Sequence, residues 1–174
     1  MKPTLFLLMG LPGAGKTTAS KIICELTSAK HLWADHIRRQ IHNPPTYTFK
    51  ENTELYDHLN DVTQKLLREG KSVVFDTNFN FYKDRRHLRE IALKSNARVI
   101  LLWVQTPLEI AKKRAVNEAH LHETRILGAM PEEKFTHISK NLEEPHENEK
   151  YLELDGTRLN KAYVANQLKN YGNH

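Results

Sequence analysis

Residues Gly10-Leu11-Pro12-Gly13-Ala14-Gly15-Lys16-Thr17 carry the full G-x-x-x-x-G-K-[ST] spacing. Glycines at these positions let backbone N–H groups turn inward around phosphate oxygens. A helix opening at the end of the loop adds its positive end to that field. Lys16 is expected to reach β- and γ-phosphates, and the Thr17 hydroxyl to ligate Mg²⁺. Thr18 extends the run of candidate phosphate contacts by one residue. A glycine turn that only caps a helix needs neither the lysine nor three glycines.

Further chemistry-bearing residues are spread along the chain. Asp35 could cap a helix or serve as general base for a substrate hydroxyl. Arg38 lies three residues on and shares a helix face with it, as an ion partner or as a clamp on an acidic substrate group, with Arg39 as the alternative. Asp76-Thr77-Asn78 could form a turn, or Asp76 could hold magnesium waters while Thr77 and Asn78 meet substrate. Arg85, Arg86 and Arg89 could anchor a substrate phosphate or form a solvated face. Lys112-Lys113-Arg114, His120, His122 and Arg125 make a basic stretch. From it Arg114 and Arg125 are candidates to close over a transferring phosphoryl group. His120 and His122 lack the carboxylate spacing of a zinc site and read as loop residues.

Alternating elements must position these groups. Leu5 to Met9 forms an apolar run that reads as a buried strand, followed after the loop by a helix over 17–27. Strands are expected at 31–34, 72–76, 98–104 and 151–154. Helices are expected at 35–42, 52–69, 81–95, 107–119, 131–143 and 159–171. Asn43-Pro44-Pro45 stops one helix, Gly70 and Asn96 end two more, and Pro107 and Pro131 open others. Residues 120–130, with Gly128, read as a mobile connection. Strands and helices in alternation predict an α/β domain with a mostly parallel sheet covered on both faces. In such sheets ligands gather at the carboxyl ends of the strands. That edge carries the glycine loop, Asp35, Asp76-Thr77-Asn78, Gln105-Thr106 and Asp155-Gly156-Thr157.

Composition limits the function classes. The 174 residues suit one domain over 1–174, at 39% hydrophobic and 27% charged. No apolar run approaches the ~20 residues of a membrane span, and no secretory leader is expected. Cys24 is the single cysteine, which excludes an internal disulfide and favours a reducing, cytoplasmic setting; it reads as a small core residue. The net charge of +5 favours polyanionic ligands, whether nucleotide or nucleic acid.

Taken together, the chain resembles the small P-loop kinases of the polynucleotide-kinase and zeta-toxin-like group. The resemblance runs from Leu5 to about Tyr151. It rests on the glycine loop, Asp35 with Arg38, Asp76-Thr77-Asn78 with Arg85 and Arg86, a basic lid at about 114–130, and Glu144-Pro145. It implies a three-layer domain with sheet order 2-3-1-4-5, ATP and Mg²⁺ as cofactors, Asp35 as general base and Arg38 as substrate clamp. ATP rather than GTP is a family-level expectation, since no N-K-x-D segment is present. The expected partner is a hydroxyl acceptor, first the 5′ end of single-stranded nucleic acid. Alternatives are a small-molecule alcohol, or a nucleotide-dependent switch with weak hydrolysis. Gly10 to Thr18, Arg114 and Thr157 are the expected nucleotide contacts. One departure stands out. The family lid commonly carries two arginines about a turn apart, whereas Arg114 is followed one turn on by Glu118, leaving Arg125 or a histidine as the second cation.

Overall fold

A computed structural model describes residues 2–171. Five parallel strands lie in the order β2-β3-β1-β4-β5, as the resemblance implied. They are β1 (Thr4–Met9), β2 (Lys30–Trp33), β3 (Val73–Asp76), β4 (Arg98–Gln105) and β5 (Tyr151–Asp155). All four pairings are parallel, so the sheet is parallel throughout its described strands.

The central strand explains why the chain folds in layers. Every residue of β1 is buried, and successive side chains of a strand point to opposite faces. Leu5, Leu7 and Met9 therefore join one apolar cluster with Leu55, Leu59, Phe75, Leu88 and Leu101. Phe6 and Leu8 join another with Ala19, Ile23, Val74, Leu102, Leu154 and Val164. Helices α3 (Phe49–Arg68) and α4 (Tyr82–Lys94) cover the first face. Helices α1 (Lys16–Thr27) and α7 (Lys161–Tyr171) cover the second. The remaining helices are α2 (Ala34–Ile41), α5 (Leu108–Lys112) and α6 (Glu132–Lys140).

Most boundaries fall within one or two residues of expectation; three differ informatively. Helix α3 starts at Phe49 rather than 52, because the Thr48 hydroxyl accepts from the Glu51 amide and caps it. Pro107 and Pro131 stand one residue outside their helices, at the cap positions. The helix expected over 107–119 does not run through. After Lys112 it passes into a π-helical turn over Lys113–Asn117 and then a 3₁₀ turn over Ala119–Leu121. Lys113 pairs with Glu118 at 3.0 Å across that wide turn. No described helix is long and apolar enough to cross a membrane.

Candidate active site

The phosphate loop is held in shape from behind. The amide of Gly10 donates to Asn80 Oδ1 at 3.0 Å, and Asn80 Nδ2 returns a bond to the Gly10 carbonyl at 3.3 Å. The Thr106 hydroxyl donates to the Ala14 carbonyl at 2.9 Å. Gly13 has φ +79, and a Cβ there would stand 2.2 Å from the Ala111 carbonyl oxygen. Glycine is thus demanded both by the backbone angle and by the close approach of α5. Lys16 Nζ arches over the loop and donates to the carbonyls of Gly10 at 2.9 Å and Leu11 at 2.8 Å. Burial pushes its pKa from 10.5 down to about 8. Of the expected contacts, Pro12, Gly13, Gly15, Lys16, Thr17 and Thr18 line a cavity of about 640 Å³. Gly10, Leu11 and Ala14 do not; their backbone groups bond Asn80, Lys16 and Thr106 in the loop's frame.

At the end of β3, Asp76 is 3% exposed and divides its two oxygens. Oδ1 accepts from the Thr17 hydroxyl at 3.3 Å, and Oδ2 lies 2.9 Å from His31 Nε2. A hydroxyl and a carboxylate side by side at the loop suit Mg²⁺, which usually takes one or two protein oxygens and leaves the rest to phosphates and water. Among the described residues there is no cluster of three or more His, Cys, Asp or Glu that could hold a metal unaided, which includes the histidines of the lid.

Asp35 opens α2 from its second residue, and Trp33, not Asp35, occupies the cap position. The capping alternative therefore falls away. Its carboxyl lines the cavity, and its pKa is raised by burial and then by the charge of Asp76. Asp35 in turn raises the pKa of the Tyr47 and Tyr56 phenols, behind the burial of each. The Tyr56 hydroxyl is 2.8 Å from Thr77 Oγ1, and Thr77 and Asn78 both line the cavity. Trp33, Tyr47 and Tyr56 thus give this end aromatic walls.

Arg38 also lines the cavity but is not free. It is 5% exposed, with Nη1 2.5 Å from Glu51 Oε1 and Nη2 2.7 Å from Asn52 Oδ1. Burial pushes the Glu51 carboxyl up, but bonds from the Thr46 hydroxyl, the Thr46 amide, Arg38 and the Tyr47 amide outweigh this and hold it at about 2.

The basic stretch lies over the same cavity. His122, Thr124, Arg125, Leu127, Gly128, Ala129 and Met130 line it, and Arg39 Nη1 ties the segment to α2 through the Ile126 carbonyl at 3.0 Å. Arg125 donates to the Gly128 carbonyl at 3.2 Å, and its charge acts on both Lys16 and Asp35. Arg114 Nη1 reaches the Gly156 carbonyl at 3.1 Å, beside Thr157, which also lines the cavity. Lys112 is drawn off by Glu132 at 2.5 Å.

Three candidate substrate contacts lie elsewhere. Arg85 is fully buried and bonds Glu149, 2.7 Å from Oε2, and the carbonyls of Phe79, Glu143 and Glu144. Arg89 reaches the same carboxylate. Arg86 is exposed on α4, 3.9 Å from Glu90. None of the three lines the cavity; Arg85 and Arg89 tie the segment around Glu149 to α4, and Arg86 pairs within the helix. Conversely His31, Asn80, Tyr47, Tyr56 and Glu51 shape the site without having been singled out in the sequence. His31 and Trp33 share one face of β2, against Val74 and Asp76 of β3, a signal readable only once those strands are known to pair. Cys24 is half-buried, its thiol pushed up to about 11 by burial and then by Asp76, as befits a packing residue.

Residues 5–145 match the protein family described as AAA domain. Adenylyl-sulfate kinase of Saccharomyces cerevisiae is 27% identical over 154 residues, spanning 85% of this chain and 74% of that protein. L-seryl-tRNA(Sec) kinase of Methanococcus maripaludis is 26% identical over 117 residues, spanning 64% of this chain and 45% of that protein. The structure of Chaetomium thermophilum Kti12 in complex with ADP-AlF3 matches in fold, with a TM-score of 0.76 at 16% identity over 97% of each chain. The family match extends far past the phosphate loop, which many unrelated activities share, and takes in the Asp35, Asp76 and lid segments together. The chain therefore belongs to this AAA domain family, as one of its small P-loop kinases.

Proposed function

We propose that the protein transfers the γ-phosphoryl group of ATP, with Mg²⁺, to a hydroxyl of a compact acceptor that carries a ring. The observation that carries this reading is the shared cavity. One wall is the phosphate loop with Lys16 and Thr17, and the other holds Asp35 among Trp33, Tyr47 and Tyr56. The loop amides and Lys16 would hold the phosphates, and Thr17 with Asp76 would hold the magnesium and its waters. The bound metal supplies charge neutralisation at the transferring group. Asp35 would take the proton from the acceptor hydroxyl, and its raised basicity suits that task. Arg125 and Arg114 would stabilise charge from the lid side. Arg38, already neutralised by Glu51, would act as a fixed wall of the acceptor end.

The acceptor class follows from which cations remain. A nucleic-acid strand needs a track of free lysines and arginines along its phosphates. Arg85 is buried on Glu149, Arg86 lies off the cavity, and Arg38 is spent on Glu51. Aromatic rings instead line that end, and rings stack on rings or on sugar faces. The net charge of +5 favours the second reading, a single-stranded 5′-hydroxyl end.

A screen with γ-labelled ATP and Mg²⁺ tests both. Nucleosides, nucleotides, sugars, aminoglycoside-like alcohols and 5′-hydroxyl oligonucleotides are offered in parallel. Label on a ring-bearing small alcohol supports the proposal. Label confined to oligonucleotides, lost steeply with salt, overturns it in favour of the second reading.

A further inference from the structure

Asp76 is not left to find its own orientation. Parallel pairing sets Trp33 opposite Asp76 and His31 opposite Val74. Residues two apart on a strand share a face. His31 and Asp76 therefore meet on the diagonal of one face, across adjacent strands, with the imidazole Nε2 2.9 Å from Oδ2. Asp76 is 3% exposed, and its other oxygen is left for the Thr17 side at 3.3 Å. The imidazole is itself clamped. It stacks on Trp33, with centroids 5.9 Å apart and planes 4° apart, and Trp33 stacks in turn on His36 at 5.6 Å. Lys21 Nζ sits 5.4 Å from the Trp33 ring. A carboxylate with one oxygen tied to a fixed N–H donor must present the other in one direction, and such outer partners of a metal-holding group tune metal affinity.

We propose that His31 is a positioning residue for magnesium. It acts through Asp76, by fixing the oxygen that this carboxylate turns towards Thr17. The inference rests on the ATP–Mg²⁺ reading above, and none of the sequence signals pointed to it. His31 does not line the cavity. Its role is confined to the metal-dependent part of nucleotide binding.

The test is binding of fluorescent methylanthraniloyl-ADP, titrated with MgCl₂ and, separately, measured in EDTA. His31→Phe keeps a ring for Trp33 and removes the donor; His31→Gln keeps an N–H donor near the Nε2 position. The Phe variant is expected to need about 10-fold more Mg²⁺ for half-maximal enhancement of binding. The Gln variant should recover most of that loss, and all three proteins should bind equally in EDTA. The inference is overturned if the Phe variant keeps the wild-type Mg²⁺ midpoint. It is equally overturned if binding falls alike with and without Mg²⁺, which would mark His31 as scaffold. Wild-type protein that binds the probe without any response to Mg²⁺ would remove the magnesium reading itself, and this inference with it.

Discussion

The Arg38 guanidinium and the Glu51 carboxylate form a buried pair, 2.5 Å apart, with side chains 6% and 4% exposed. This pair couples α2 to the segment before α3, because the same carboxylate accepts from the Thr46 amide at 2.6 Å and the Tyr47 amide at 3.2 Å. Tyr47 has φ +55, a conformation that costs a bulky residue energy and that the Glu51 bonds enforce. Its ring sits 4.9 Å from Arg38 Cζ and 5.2 Å from Lys134 Nζ.

Glu51→Gln should release this loop. Nucleotide affinity is expected to stay near wild type, while KM for the acceptor found by the screen rises several-fold. The pH dependence has a definite sign. The Glu51 pKa is lowered from 4.5 to about 2, so its stabilisation is complete above 4.5 and is lost as pH falls from there towards 2. Melting temperatures across that window should fall less steeply with acid in Glu51→Gln. Parallel curves would show that the carboxylate does not hold the loop.

Asp35→Asn should separate chemistry from binding. The amide keeps the size of the side chain but cannot take a proton. Turnover is expected to drop by about 10²–10⁴-fold, with ADP affinity changed little, since Lys16 and the loop amides are untouched. Unchanged turnover would remove Asp35 from the mechanism and favour a nucleotide-dependent switch.

Nucleotide binding should take up protons above neutrality. Burial holds free Lys16 near pKa 8, and phosphate oxygens placed against it favour the ammonium form. The lysine of the complex thus titrates higher than that of the free protein. Affinity is full below about 8 and weakens as pH rises through and beyond that value. Calorimetry at pH 8.5 in buffers of different ionisation enthalpy reads this directly; identical heats in every buffer would contradict it.

Arg85→Ala should destabilise rather than disarm the protein. It takes from Glu149 its buried guanidinium partner; burial pushes this carboxyl up, and Arg85, the His146 amide and Arg89 together hold it at about 2. Removing one partner of a buried pair costs about 3 kcal/mol or more, and the thermal midpoint should fall on the order of 10 °C. Arg86→Ala should leave the midpoint nearly unchanged. Equal small effects from both variants, with acceptor KM raised, would favour a substrate role for them instead.

Spacing alone made the glycine loop legible, because the phosphate cradle is built from residues adjacent in the chain. The same holds for the alternation of β1, whose odd and even positions feed the two cores, and for Asp76 and Asp35, which end a strand or stand just past one and so fall on the ligand edge of a parallel sheet. The fate of the arginines was not legible. Arg38, Arg85 and Arg86 are chemically alike, and which one faces a cavity depends on where Glu51 and Glu149 lie. Glu149 is 64 residues from Arg85. His31 likewise gained its partner only when β2 paired with β3, 45 residues away. Local order along the chain determined the elements and the phosphate loop. Tertiary structure decided which charges were consumed internally and which were left to meet a ligand, because a guanidinium or imidazole takes its role from the acceptor that folding brings within about 3 Å of it.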